Sequence, residues 1–129
     1  GYDNLAAAKI YPSEVNALST IARDNISNFT LLEINAGSGN FLSMVKYIFP
    51  NATVIGTSAI EGEIKHGVKS VQLIKYNPAS DSLNCQEHSI DYIIVRAIKN
   101  SSGFLSPEEA KELYKDLVKE GGKLLYITD

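Results

Sequence analysis

The sequence predicts an α/β fold: a doubly wound, mostly parallel sheet of about five strands with flanking helices. Three observations carry that expectation. Short bursts rich in β-branched residues alternate with segments of helical spacing. Several bursts are continuously apolar, as in strands covered on both faces. A glycine turn joins the first burst to a helical segment, an arrangement that lets backbone approach a ligand at the carboxyl end of a strand.

The elements follow in order. Pro12-Ser13 leads into Val15, Leu18, Ile21 and Ala22, an apolar stripe at helical spacing with Ser13 as its N-cap. Residues 31–34 form the first strand. Phe41, Leu42, Val45 and Ile48 then recur at helical spacing and stop at Pro50. Residues 53–55 are the second strand, 60–66 a shorter helical piece, 71–74 the third strand and 90–95 the fourth. Ser106-Pro107-Glu108-Glu109 is a helix start: Ser106 caps, Pro107 takes the first helical position and Glu109 closes a capping box. Ala110, Leu113, Tyr114, Leu117 and Val118 line one face of that helix, which Gly121-Gly122 is expected to stop. Residues 124–128 supply the fifth strand.

With 129 residues the chain fits one domain, 1–129, with an N-terminal segment and helix over 1–29 and an α/β core over 30–129. An apolar content of 44 % is enough to close one core, and no apolar run approaches the length of a membrane span. The net charge of −3 argues against a broad phosphate-binding surface, so nucleic acid is not an expected partner. A single cysteine, Cys85, excludes an internal disulfide and suits a reducing, cytoplasmic compartment. Asn-x-Ser/Thr triplets begin at Asn25, Asn28, Asn51 and Asn100; with no basic-then-apolar leader in front, they read as chance matches.

The glycine turn reads Glu33-Ile34-Asn35-Ala36-Gly37-Ser38-Gly39-Asn40-Phe41. It resembles the first motif of the class I S-adenosylmethionine-dependent methyltransferases, an acid followed by three glycines at alternate positions. Glu33 matches the acid, Gly37 and Gly39 match the second and third glycines, and Asn35 replaces the first. Asparagine is among the few residues that tolerate the left-handed backbone often needed there. The dehydrogenase pattern fits worse, because its third glycine falls on Asn40, and no Gly-Lys-Ser/Thr follows to make a P-loop. The resemblance continues in order from Leu31 to Asp129. It runs through Val54-Ile55-Gly56-Thr57-Ser58, Tyr76-Asn77-Pro78, Ser89-Ile90-Asp91-Tyr92-Ile93-Ile94 and the stretch from Leu117 to Leu125.

That resemblance implies a Rossmann-like fold, an S-adenosylmethionine cofactor and methyltransferase activity, with the methyl acceptor left open. It implies a cofactor site made of Glu33, Asn35, Gly37, Gly39, Ser58 and Asn77. The family clamps both ribose hydroxyls with an acid at the position of Ser58, and receives the adenine amino group on an acid at the position of Asn77. A serine hydroxyl makes a weaker, neutral contact, whereas asparagine keeps an accepting carbonyl without the charge. Each lost charged hydrogen bond costs about 1.5–3 kcal/mol, roughly ten- to a hundredfold in affinity. Glu61 lies three residues beyond Ser58, at a spacing that does not match the clamp. The alternative function is a catalytically inactive methyltransferase-like subunit that acts as a binding or interaction module. For Glu33 the alternative is a carboxylate satisfied by backbone amides of the following turn.

No catalytic residue is assigned. Arg96-Ala97-Ile98-Lys99-Asn100 stands where amine methylators of the family carry an Asn/Asp-Pro-Pro-aromatic motif, so that subclass is not expected. Arg96 and Lys99 are candidates to hold an anionic substrate, against the plainer reading of solvated strand-end charges. Tyr2 and Tyr11 are candidates for an N-terminal lid, against packing on the sheet. Cys85 with His88, and Glu63 with His66, have metal-like spacing but lack further ligands, so no metal is expected. Lys111, Lys115 and Lys119 with Glu108 and Glu112 read as a mixed-charge solvated face. The family's core usually continues past the fifth strand with a helix and an antiparallel hairpin, whereas this sequence stops at Asp129. The fifth strand is therefore expected to be an open edge that pairs with a second copy or another subunit, unless the natural chain is longer.

Overall fold

The computed structural model describes residues 10–101 and 103–128; Tyr2 and Asp129 lie outside the described residues. The strands are β1 (Thr30–Ile34), β2 (Thr53–Ser58), β3 (Gln72–Lys75), β4 (Ile90–Arg96) and β5 (Val118–Ile127). The helices are α1 (Pro12–Asp24), α2 (Asn40–Ile48), α3 (Glu61–Lys65) and α4 (Pro107–Tyr114). All strand pairs are parallel and the order is β3-β2-β1-β4-β5. The chain thus steps outward from β1 through β2 to β3, then crosses back to β4 and β5. The reversal lies between β1 and β4, where the carboxyl ends of the strands open into a crevice.

Side chains alternate between the two faces of the sheet, and both faces are covered, which explains why neighbouring positions such as Leu31 and Leu32 or Ile93 and Ile94 are both apolar. Leu31, Tyr92 and Ile94 pack with Ala17 and Ile21 of α1 and with Phe41, Leu42 and Val45 of α2. Leu32, Ile34, Ile93 and Val95 pack on the other face with Tyr76, Leu105, Ala110 and Tyr114. Each fully buried leucine or isoleucine contributes about 1.5–3 kcal/mol relative to exposure. Phe29 closes the amino end of the first face, meeting Phe49 and Tyr92 edge-on at 5.5 and 5.3 Å.

Several local expectations are corrected. The cap of α1 is Tyr11, not Ser13: Pro12 takes the first helical position and the Tyr11 amide donates to Glu14 Oε1 at 2.9 Å. Ser13 Oγ donates instead to the Thr128 carbonyl at 2.6 Å, tying α1 to the end of β5. The inward face of α1 is Glu14, Ala17, Leu18 and Ile21, while Val15 and Ala22 face outward. The capping box at Ser106 and Glu109 forms as expected, at 3.2 and 3.1 Å. However, α4 ends at Tyr114, a 3₁₀ turn covers Lys115–Leu117, and Gly121-Gly122 lies inside β5 rather than at a helix end. Leu113, assigned to the buried face, is exposed. Pairing with β4 draws this segment into the sheet through an irregularity between Ile90 and Tyr92. A Cβ on Gly122 would lie 2.7 Å from the Asp91 carbonyl, and Gly121 has φ +82, so this bend needs its glycines. Among the described residues no helix is long and apolar enough to cross a membrane.

Candidate functional site

The turn after β1 alternates left-handed residues: Asn35 at φ 63, Gly37 at φ 61 and Gly39 at φ 89. Asn35 thus adopts the backbone that its replacement of a glycine required. Its side chain, at the wall of the crevice, is held by backbone carbonyls of the protein. Nδ2 donates to the carbonyls of Arg96 and Gly103 at 3.2 and 3.1 Å, and the Asn35 amide donates to Thr57 Oγ1 at 3.2 Å. One asparagine therefore ties the end of β1 to the end of β4 and to the loop before α4. Gly39 starts α2, and a Cβ there would fall 2.7 Å from Val71 Cγ2. At Gly37 an added Cβ would make ordinary contact with Glu63 Oε2 at 3.6 Å and, among the described residues, with nothing else within 4 Å.

Beside this turn lies a cavity of about 240 Å³, lined by Tyr11 and Glu14 of α1, by Gly37, Ser38 and Phe41, and by Arg96. Tyr11, one of the two lid candidates, thus borders the crevice. Arg96 is not a solvated strand-end charge. Its Nε donates to Glu33 Oε2 and its Nη2 to Glu14 Oε2, both at 2.8 Å, and its guanidinium lies 5.6 Å from the Phe41 ring centre. Burial works against the arginine's charge, but the two carboxylates outweigh it and raise its pKa. Lys99 is exposed. Glu33 is fully buried and meets this guanidinium rather than backbone amides of the turn. Its second oxygen, Oε1, has no hydrogen-bond partner among the described residues. Desolvation pushes the Glu33 carboxyl up to about 7 against the pull of Arg96.

At the end of β2, Ser58 is buried and its hydroxyl donates to Glu63 Oε1 at 2.5 Å while accepting from the Ile60 amide at 3.0 Å. Glu61, whose spacing from Ser58 does not match the clamp, is exposed and pairs with Lys75 at 3.9 Å. The acid that reaches back is Glu63, one turn into α3, which spacing had grouped with His66. Asn77 is drawn into a turn of its own: Oδ1 accepts from the Ala79 amide at 2.9 Å, and the Asn77 amide donates to Asp81 Oδ2 at 2.8 Å. The structure therefore brings Gly37, Ser58 and Glu63 together. It brings Asn35 and Asn77 near Gly103, whose added Cβ would lie 3.2 and 3.7 Å from their Oδ1 atoms. Glu33 sits beneath, locked to Arg96.

The remaining candidates lie elsewhere. His88 Nδ1 is 3.1 Å from the Val118 carbonyl, and Cys85 Sγ is 3.6 Å from Ser89 Oγ. Lys115 pairs with Glu112 at 2.9 Å and Lys119 with Asp91 at 3.3 Å. A wider apolar depression, lined by Pro78, Phe104, Leu105 and Leu113 with Glu108 and Glu112 beside them, runs along α4.

No protein-family model matches the sequence, and no curated protein does. Solved structures do. YcgJ from Bacillus subtilis superposes with a TM-score of 0.68 at 19 % identity, over 88 % of this chain and 49 % of that one. Geranyl diphosphate C-methyltransferase from Streptomyces coelicolor A3(2), in complex with Mg2+, geranyl diphosphate and S-adenosyl-L-homocysteine, gives 0.67 at 14 % identity, over 88 % and 46 %. Coclaurine N-methyltransferase, bound to N-methylheliamine and SAH, gives 0.65 at 12 % identity, over 92 % and 36 %. The fold is the Rossmann-like core seen in many S-adenosylmethionine-dependent methyltransferases. The chain spans half or less of the length of these three structures.

Proposed function

We propose that this chain is the cofactor-binding core of an S-adenosylmethionine-dependent methyltransferase. The observation that carries the reading is the glycine turn. Three left-handed residues bend the backbone at the carboxyl end of β1, and Gly37 leaves its Cβ position bare, 3.6 Å from the Glu63 carboxylate in the helix after β2. Residues of this chain fit a nucleoside cofactor: bare backbone at Gly37 for close approach, Glu63 Oε2 as an acceptor, and the cavity between α1 and Arg96 for the part beyond the ribose. S-adenosylmethionine, when bound, supplies an activated methyl group. The protein's task is then to hold the acceptor in line, and methyl transfer gains more from alignment than from a base. Titration calorimetry with S-adenosylmethionine and S-adenosylhomocysteine is expected to show micromolar binding that Gly37→Val abolishes, with the melting temperature of the variant checking that it is folded. An absence of binding up to millimolar concentration overturns the reading.

A second reading, an inactive methyltransferase-like interaction subunit, is favoured by one feature. Asn35 and Asn77 engage side-chain polar atoms with their own backbone surroundings, and Glu33 engages Oε2 with Arg96. The same titration separates the two. The outer edge of β5 has no strand beside it among the described residues, and pairing there with a second copy or another subunit belongs to either reading. Light scattering at high concentration checks the second copy, which a strictly monomeric species rules out.

A further inference from the structure

We propose that Glu63, set in place by Ser58, is the carboxylate that receives the 2′ and 3′ hydroxyls of a ribonucleoside, an inference that rests on the cofactor reading above. Doubly wound nucleotide-binding folds commonly meet the ribose with an acid that follows the second strand. Here β2 ends at Ser58, and the first acid beyond it, Glu61, points to Lys75 at the surface. One helical turn brings Glu63 back over the strand end instead. The Ser58 hydroxyl accepts from the Ile60 amide, and of the two acceptors before its proton, the Ile60 carbonyl at 3.2 Å and Glu63 Oε1 at 2.5 Å, the carboxylate is the nearer, so the serine fixes it without filling its outer oxygen. Oε2 accepts no hydrogen bond among the described residues and lies 3.6 Å from the point where Gly37 lacks a Cβ. A carboxylate accepts two hydroxyl protons at once, and charge makes each bond stronger than a serine oxygen could. A side chain on a five-residue helix gives up rotamer freedom to lie in this position, and the short bond to Ser58 offsets that cost. Ser58 is thus a positioning residue, and Glu63 the group that touches ligand.

The test uses the whole chain, with S-adenosylhomocysteine titrated calorimetrically and adenosine and 2′,3′-dideoxyadenosine as competitors. Glu63→Gln is expected to weaken S-adenosylhomocysteine about ten- to a hundredfold, while Glu61→Gln stays within about twofold. The wild type prefers adenosine to the dideoxy compound, and Glu63→Gln removes that preference. Glu63→Asp, which keeps the charge but shortens the reach, behaves like Gln, and Ser58→Asp combined with Glu63→Gln restores binding. Melting temperatures of the variants show that each is folded. If the wild type binds but Glu63→Gln binds equally well, or still prefers the diol, Glu63 is not the acceptor and the cofactor reading stands without it. A wild type that binds none of the probes overturns the cofactor reading and this assignment together.

Discussion

Replacing Glu33 with glutamine changes how stability depends on pH, and the structure sets both sign and size. Glu33 is wholly buried, Arg96 meets one of its oxygens, and the other has no donor among the described residues. Burial outweighs the guanidinium and raises the carboxyl from an ordinary 4.5 to about 7. Between those values the folded protein holds a proton that the unfolded chain has released. The folded state is therefore favoured at the acid end, and stability falls as pH rises through the window. At about 1.36 kcal/mol per pH unit, the full effect is about 3 kcal/mol. The glutamine variant keeps the shape without the titration, and His66 and His88 are common to both proteins. Urea unfolding from pH 4 to pH 8 is the assay. Wild type and Glu33→Gln should be of similar stability near pH 4 and diverge by about 3 kcal/mol in favour of glutamine by pH 8. Parallel curves, or a wild type that gains on the variant as pH rises, refute the account of Glu33.

Arg96→Ala strips from two buried carboxylates the only cation that meets them among the described residues and is expected to cost about 3–5 kcal/mol at pH 8, less at pH 5 where Glu33 is protonated; the same unfolding series measures it. Tyr76 and Tyr114 share a buried hydroxyl contact at 3.0 Å. Tyr114→Phe should therefore cost about 1–3 kcal/mol by orphaning the other hydroxyl, and adding Tyr76→Phe should recover most of the loss in a double-mutant cycle. Gly39→Ala forces a Cβ to 2.7 Å from Val71 at φ 89, and chemical denaturation should show a loss of about 1–3 kcal/mol.

The parts of this fold that follow from local pattern were readable from the residues. Apolar bursts marked β1 and β4, with apolar residues at neighbouring positions because both faces of the sheet are covered. The chemistry of Ser106, Pro107 and Glu109 marked the start of α4, because a cap is made within four residues. Asn35 took its left-handed backbone because few other residues could. What stayed hidden was set by distant partners. Gly121-Gly122 reads as a helix stop until β4 pairs with the segment and bends it into β5. Arg96 reads as a free cation until α1, 82 residues away, brings Glu14 to it. Glu63 shows no spacing signal toward Ser58, since five residues across a strand end and a short helix have no fixed direction until the helix packs. The turn of the candidate site was thus visible, and the acid opposite it was not.

The most direct measurement is an amide nuclear magnetic resonance map of the chain on addition of S-adenosylhomocysteine. The account predicts that the amides of Gly37, Gly39, Ser58 and Glu63 shift together and saturate at one concentration, while those of Phe104 and Leu113 in the depression along α4 stay in place. Shifts confined to that depression, or none at millimolar ligand, would contradict the claim that the glycine turn is a cofactor site.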